Sequence, residues 1–202
     1  MRDEYLTLAG AGRREIRIRG SRFIAHAEPV ASRDAVMRAL AAIRREFFDA
    51  THHCYAYRLG LDGSDFRAVD GGEPSGTAGK PILAAIDHAG LTEVLIVVTR
   101  YFGGTKLGVG GLAHAYGEAA AAVLASVAHT VCYRTIMLRA TFAHALVSVV
   151  MRVAGNAGAK IGPATYDDAV HLPLTIRASK VDELVSALVE GTRGEIQIRR
   201  DD

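Results

Sequence analysis

The chain has 202 residues, half of them hydrophobic, enough for a sizeable core in one large or two small domains. Its 24 basic and 22 acidic side chains leave a net charge of +2, split as 15 against 14 in residues 1–133 and 9 against 8 in 134–202, so any electropositive site is a local cluster and not a global field. Two cysteines, Cys54 and Cys132, exclude a disulfide scaffold, and no apolar stretch approaches the roughly 20 residues that span a bilayer.

Met1–Gly10 is polar, reads as a loose start, and lacks the basic-then-apolar order of an export signal. Glu15–Arg19 alternates Ile16 and Ile18 with charges, and the alternation resumes at Phe23, Ala25 and Ala27, which predicts two strands broken at Gly20–Ser21. Ser32 is placed to cap a helix, with Asp34 in its first turn and Val36, Leu40, Ile43 and Phe47 at helical spacing. Cys54–Leu59 and Phe66–Val69 flank Asp62–Gly63 as a hairpin. Pro81 suits the first turn of a helix whose Ile82, Leu83 and Ile86 face the core. The unbroken apolar run Val94–Val98 predicts a buried central strand. Gly108–Gly111 then leads into a helix carrying Leu112, Tyr116, Ala120, Val123, Leu124 and Val127 on one side.

Beyond Cys132 the pattern restarts. Thr135–Phe142 reads as a strand, and Leu146, Val149, Val150 and Val153 as a helical stripe closed by Gly155 or Asn156. Lys160–Tyr166 and Ala169–Ile176 read as a hairpin around Asp167–Asp168. Ser179 is placed to cap a helix with Leu184, Val185 and Leu188 inward, and Glu195–Arg199 is the last strand. That order is βαββαβ, the ferredoxin-like plan. The expected fold class is α+β, with an α/β domain over 1–133 and a ferredoxin-like domain over 134–202.

Two Gly-rich segments, Asp70–Pro81 and Arg100–Gly111, hold the residues that fit a binding surface. Both open helices, whose first N–H groups and positive dipole end make an anion seat. In the first, Thr77 supplies a hydroxyl, Gly79 close backbone approach and Lys80 a charge. In the second, Arg100 and Lys106 supply charge and Tyr101 and Phe102 offer rings for stacking on bases. Gly103, Gly104, Gly108, Gly110 and Gly111 free the backbone there. Tight turns and close helix–strand packing would use the same glycines. Neither segment has the order of a P-loop or a dinucleotide fingerprint. Asp70, Glu73 and Asp87 are candidates for Mg²⁺ or acid–base work; Asp70 is equally suited to bonding its own loop backbone. His52-His53-Cys54 tempts as a metal or nucleophile cluster, but His26, His88, His114 and Cys132 show no ligand spacing, so no metal and no cofactor are expected. A buried Cys54 beside a satisfied histidine is the simpler reading.

His52-His53-Cys54, Gly72-Glu73-Pro74-Ser75-Gly76-Thr77-Ala78-Gly79-Lys80-Pro81, the run from Arg100 to Leu112, and Ala115-Tyr116 resemble the YigZ/IMPACT family, over about Ser21 to Leu124. The C-terminal part is similar in pattern to the accessory domain of bacterial members. The resemblance implies a first domain shaped like the second domain of a small-subunit ribosomal protein, a shape also used by some small-molecule kinases. It implies a second domain like a ferredoxin-like domain of elongation factor G. Eukaryotic members restrain a stress kinase acting on a translation initiation factor; for bacterial members nucleic-acid binding is the usual proposal. Family members often carry two acids before Gly-Glu-Pro, where this chain has Asp70 and then Gly71. His114 stands where a basic or aliphatic residue is commoner.

Three functional readings follow. The first is a cytoplasmic, translation-associated protein that binds RNA or a phosphate anion through the two loops, with Asp70, Glu73 and His53 as accompanying polar groups and RNA or ribosome-associated factors, not a membrane, as partners. The second is a nucleotide- or metal-dependent enzyme, for which no nucleophile–base pair is visible. The third is a protein-interaction module anchored on Tyr101 and Phe102.

Overall fold

Side-chain alternation along five strands decides what the first part of the chain buries. The computed structural model describes residues 3–201. It divides into one unit over Tyr5–Cys132 and another that takes the chain from Tyr133 on together with Asp3 and Glu4. The first unit runs β2 (Gly12–Ile18), β3 (Ser21–Pro29), α1 (Arg33–Glu46), β4 (His52–Leu59), β5 (Asp65–Val69), α2 (Gly79–His88), β6 (Val94–Tyr101) and α3 (Gly108–Ala125). Its sheet has the order β2-β3-β6-β4-β5, every neighbour antiparallel.

Residues of one parity, Phe23, Ala25, Ala27, Cys54, Ala56, Val94, Ile96 and Val98, pack against α2 and α3. The other parity, Tyr55, Tyr57, Leu59, Leu95 and Val97, packs against α1. The sheet is therefore covered on both faces, which explains why β6 reads as one apolar run although its neighbours are antiparallel. Ser32 caps α1, its hydroxyl accepting from Ala35 N at 3.2 Å. The start is not loose among the described residues: β1 (Glu4–Leu8) pairs with β7 (His129–Tyr133), and Leu8 is buried. Its short Tyr5–Leu8 alternation is easily passed over; Met1 and Arg2 lie outside the described residues.

The second unit follows β8 (Thr135–Phe142), α4 (Val147–Asn156), β9 (Lys160–Ile161), β10 (Thr165–Tyr166), β11 (Val170–Arg177), α5 (Val181–Gly191) and β12 (Ile196–Asp201). Its strands lie in the order β10-β11-β8-β12, with β9 also on β11. The expected single strand over 160–166 is broken in two. Gly162 donates its N–H to Pro173 O at 2.8 Å, Pro163 has no N–H to give, and a Cβ at Gly162 would crowd the Pro173 ring. Ser179 does not cap α5. It lies in a 3-10 turn, Ala178–Lys180, and its N–H and hydroxyl both donate to the Asp3 carboxylate.

Candidate functional site

The first Gly-rich segment is folded around its own carboxylate. Asp70, just after β5, accepts from the N–H groups of Gly76 (2.8 Å), Ala78 (2.9 Å) and Gly79 (2.8 Å). The anion seat at the start of α2 is thus filled by the chain itself, which corrects its assignment to an outside phosphate. Burial pushes the Asp70 carboxyl up, but the N–H bonds from Gly76, Gly79 and Ala78 and the nearby Lys80 charge outweigh it and hold its pKa below the usual value. Thr77 is buried and its hydroxyl donates to Pro74 O at 2.6 Å. Gly79 is buried, and a Cβ there would lie 2.5 Å from Val69 N, so this glycine serves helix–strand packing. Lys80 is exposed on the second position of α2. At Gly71 φ is +56° and a Cβ would overlap the His53 carbonyl, so no second acid fits this backbone.

Glu73, from the same segment, turns inward, with its side chain 4% exposed. It accepts from Arg100 Nη1 at 2.6 Å and from the Tyr116 hydroxyl at 2.7 Å, and His52 Nε2 lies 3.9 Å away. Parity explains the company. His52 and Arg100 are register partners on the sheet face that meets α2 and α3. His53 and Tyr101 point to the α1 face, His53 meeting Thr99 Oγ1 at 3.2 Å and Tyr101 donating to Asp49 at 2.7 Å. His53 and Tyr101 therefore lie on the opposite face from Glu73, and His52 and Tyr116 are the residues beside it. The signal for Tyr116 was present: a tyrosine in an apolar helix stripe needs a polar partner for its hydroxyl. Burial, with Cys54 and Glu73 close by, pushes that hydroxyl up and keeps it a donor.

Cys54 is buried, donates to Asp70 O at 2.8 Å, and burial pushes its thiol up to about 12, which leaves it without a thiolate for nucleophilic or metal chemistry. Asp87 pairs with Arg58 at 2.6 Å, away from Asp70 and Glu73. Among the described residues, no three His, Cys, Asp or Glu side chains gather around one position suited to a metal.

The second Gly-rich segment borders a cavity. Arg100 and Tyr101 end β6, 102–107 is loop, and Gly108, Gly110 and Gly111 are the first turn of α3 itself, not a loop before it. Among the described residues no side chain caps α3, an 18-residue helix. Gly103 is structural: a Cβ would overlap Gly20, and its N–H donates to Ser21 Oγ at 3.1 Å. Gly104, with φ +85°, turns the loop in open space. A cavity of about 280 Å³ lies here, lined by Glu73, Pro74, Arg100, Phe102, Lys106 and residues 107–109 and 112. Arg100 is 4% exposed; its guanidinium meets Glu73 and Ser21 Oγ, while its Nε has no partner among the described residues. The pocket wall thus carries one neutralised ion pair, a helix N-terminus and Lys106, a cation without a carboxylate partner among the described residues. It gathers Arg100, Phe102, Lys106 and Gly108 and leaves out Thr77, Gly79 and Lys80. No nucleophile paired with a base lines it among the described residues.

This core of buried polar groups sits in the stretch that relatives share. The Impact N-terminal domain model matches residues 19–124. The chain is 35% identical to the Escherichia coli IMPACT family member YigZ over 189 residues, 90% of each chain. It is 44% identical to the Bacillus subtilis IMPACT family member YvyE over 118 residues, 58% of this chain and 54% of that one, so this match spans about half of the relative's length. A crystal structure of a hypothetical protein superposes with a TM-score of 0.77 at 30% identity, covering 100% of this chain and 99% of the other. The chain belongs to the IMPACT family. Among the described residues no helix is long and apolar enough to cross a membrane.

Proposed function

We propose that this chain is a cytoplasmic, translation-associated protein that binds RNA through its phosphates, with RNA or ribosome-associated factors as partners, and that the pocket at the start of α3 is the seat. One observation carries the reading: the first turn of α3, which no side chain caps among the described residues, meets at Gly108 a pocket that also holds Lys106 and a buried Arg100 whose Nε has no partner among the described residues. The likeness of the first unit to the second domain of a small-subunit ribosomal protein, and of the second unit to a ferredoxin-like domain of elongation factor G, belongs to the same proposal. The β10-β11-β8-β12 order supports the latter.

Occupied carboxylates weigh against the enzyme reading. Asp70 already accepts three N–H bonds and Glu73 already accepts from Arg100 and Tyr116. Few free cations also set the size of the effect. With about one phosphate neutralised on a single strand, by Lys106, affinity falls only about threefold between 50 and 200 mM salt. Fluorescence anisotropy with a labelled RNA oligonucleotide tests this. Lys106→Ala weakens binding and lowers the salt slope by a little under 1. Binding that ignores both salt and Lys106 overturns the proposal.

A further inference from the structure

We infer that the pocket at the start of α3 takes an unpaired nucleotide, its base against the apolar wall and its phosphate at the helix N-terminus. This rests on the phosphate-binding reading above and adds the strandedness of the RNA.

A phosphate alone needs donors and charge, yet most of this wall is apolar. Pro74, Phe102, Leu107, Val109 and Leu112 line it beside Lys106. Phe102 is 48% exposed and Val109 67% exposed, both next to the anion seat, where water would otherwise meet them. The Arg100 guanidinium lies 5.5 Å from the centroid of the Phe102 ring, which backs the ring and orients it without capping α3. An oriented, half-exposed ring beside a phosphate seat is the arrangement that stacks a base of a single strand. Size agrees. About 280 Å³ is at the small end for a ligand pocket and matches a group of nucleotide size, not a duplex groove. In a duplex the bases are already stacked and paired, so the wall would find only backbone.

Competition anisotropy on the full chain decides it. The probes are a single-stranded RNA oligonucleotide, the same sequence as a duplex, a nucleoside monophosphate and inorganic phosphate. The single strand is expected to bind about tenfold or more tighter than the duplex, and the nucleoside monophosphate to compete better than phosphate. Phe102→Ala should lose about tenfold on the single strand and nothing on the duplex. The ring of Phe66, 55% exposed and paired with Arg58 at the end of β4 away from His52 and Arg100, is the control, and Phe66→Ala should leave binding unchanged. Val109→Ser keeps the backbone donors and should weaken the single strand alone. A duplex that binds as well as the single strand, or phosphate that competes as well as the nucleotide, overturns the inference while the phosphate seat stands. Failure of every RNA form to bind removes both.

Discussion

Arg100 shows why a charged residue in a promising loop is not automatically a free charge. Its side chain is 5% exposed and its partner Glu73 4% exposed, at 2.6 Å. Burying such a pair costs desolvation, and removing one member leaves the other without compensation. Arg100→Met is therefore expected to destabilise the protein by about 3–5 kcal/mol, and Glu73→Gln by a comparable amount. In the double variant the buried charge disappears with its partner, so the two losses should not add; a coupling of about 1–3 kcal/mol is expected from a double-mutant cycle read by urea unfolding. Losses that sum within about 0.5 kcal/mol would show that the pair does not act as a unit. The same reasoning makes Lys106, not Arg100, the clean probe of binding, because Lys106 is exposed and removing it leaves no buried partner.

At the scale of elements, the two helices that open on glycines have opposite fates. Asp70 lies six to nine residues before the N–H groups that it accepts, too far for a local cap pattern such as Ser32 before α1. The three backbone bonds make α2 depend on it. Asp70→Asn keeps an acceptor but loses the charge, at a cost of about 1–2 kcal/mol. The pH dependence carries the same sign. A carboxyl whose folded pKa is lowered stabilises fully above its unfolded value, near about 4, and loses that contribution as pH falls through the folded value. Urea unfolding between pH 5 and 2 should therefore fall less steeply for Asp70→Asn than for the parent chain; parallel profiles would count against the cap. Periodicity made the long elements legible: β6, α1, β8 and α4 follow from apolar spacing alone. Parity along a strand also separates Arg100 from Tyr101 and His52 from His53, once the covered faces are known. What periodicity does not carry is the pairing of distant groups. Glu73 with Tyr116, Asp70 with the start of α2, and β1 with β7 are tertiary facts.

For the molecule as a whole, the acid response should divide between the two units. His26 is buried in the first, 6% exposed, with no partner on Nε2 among the described residues and the Phe47 ring 5.2 Å away. Burial, helped by the Arg13 charge, pushes its pKa down to about 4. The unfolded chain then takes up a proton near pH 6.5 that the folded chain refuses until about 4. Stability is lost across that window, on the order of 3 kcal/mol in all, and the Asp70 loss adds at lower pH. His53, also in the first unit, is shifted down by burial and by Arg44. In the second unit the shifted groups are half-buried Asp3 and exposed Asp167, carboxylates held low by hydrogen bonds, chiefly from Ser179 and from the Ala169 N–H. They begin to lose their contribution only near pH 4. Amide exchange followed by mass spectrometry at pH 7, 5 and 4, corrected for intrinsic rates, should show the protection of β3, β6 and α1 falling first, with β8, β11 and α5 holding until lower pH. His26→Leu should remove most of the loss between pH 6.5 and 4 without changing the order at pH 7. Equal loss of protection in both units over that window, or a His26→Leu chain as acid-sensitive as its parent, would show that the buried histidine does not set the first step of acid unfolding.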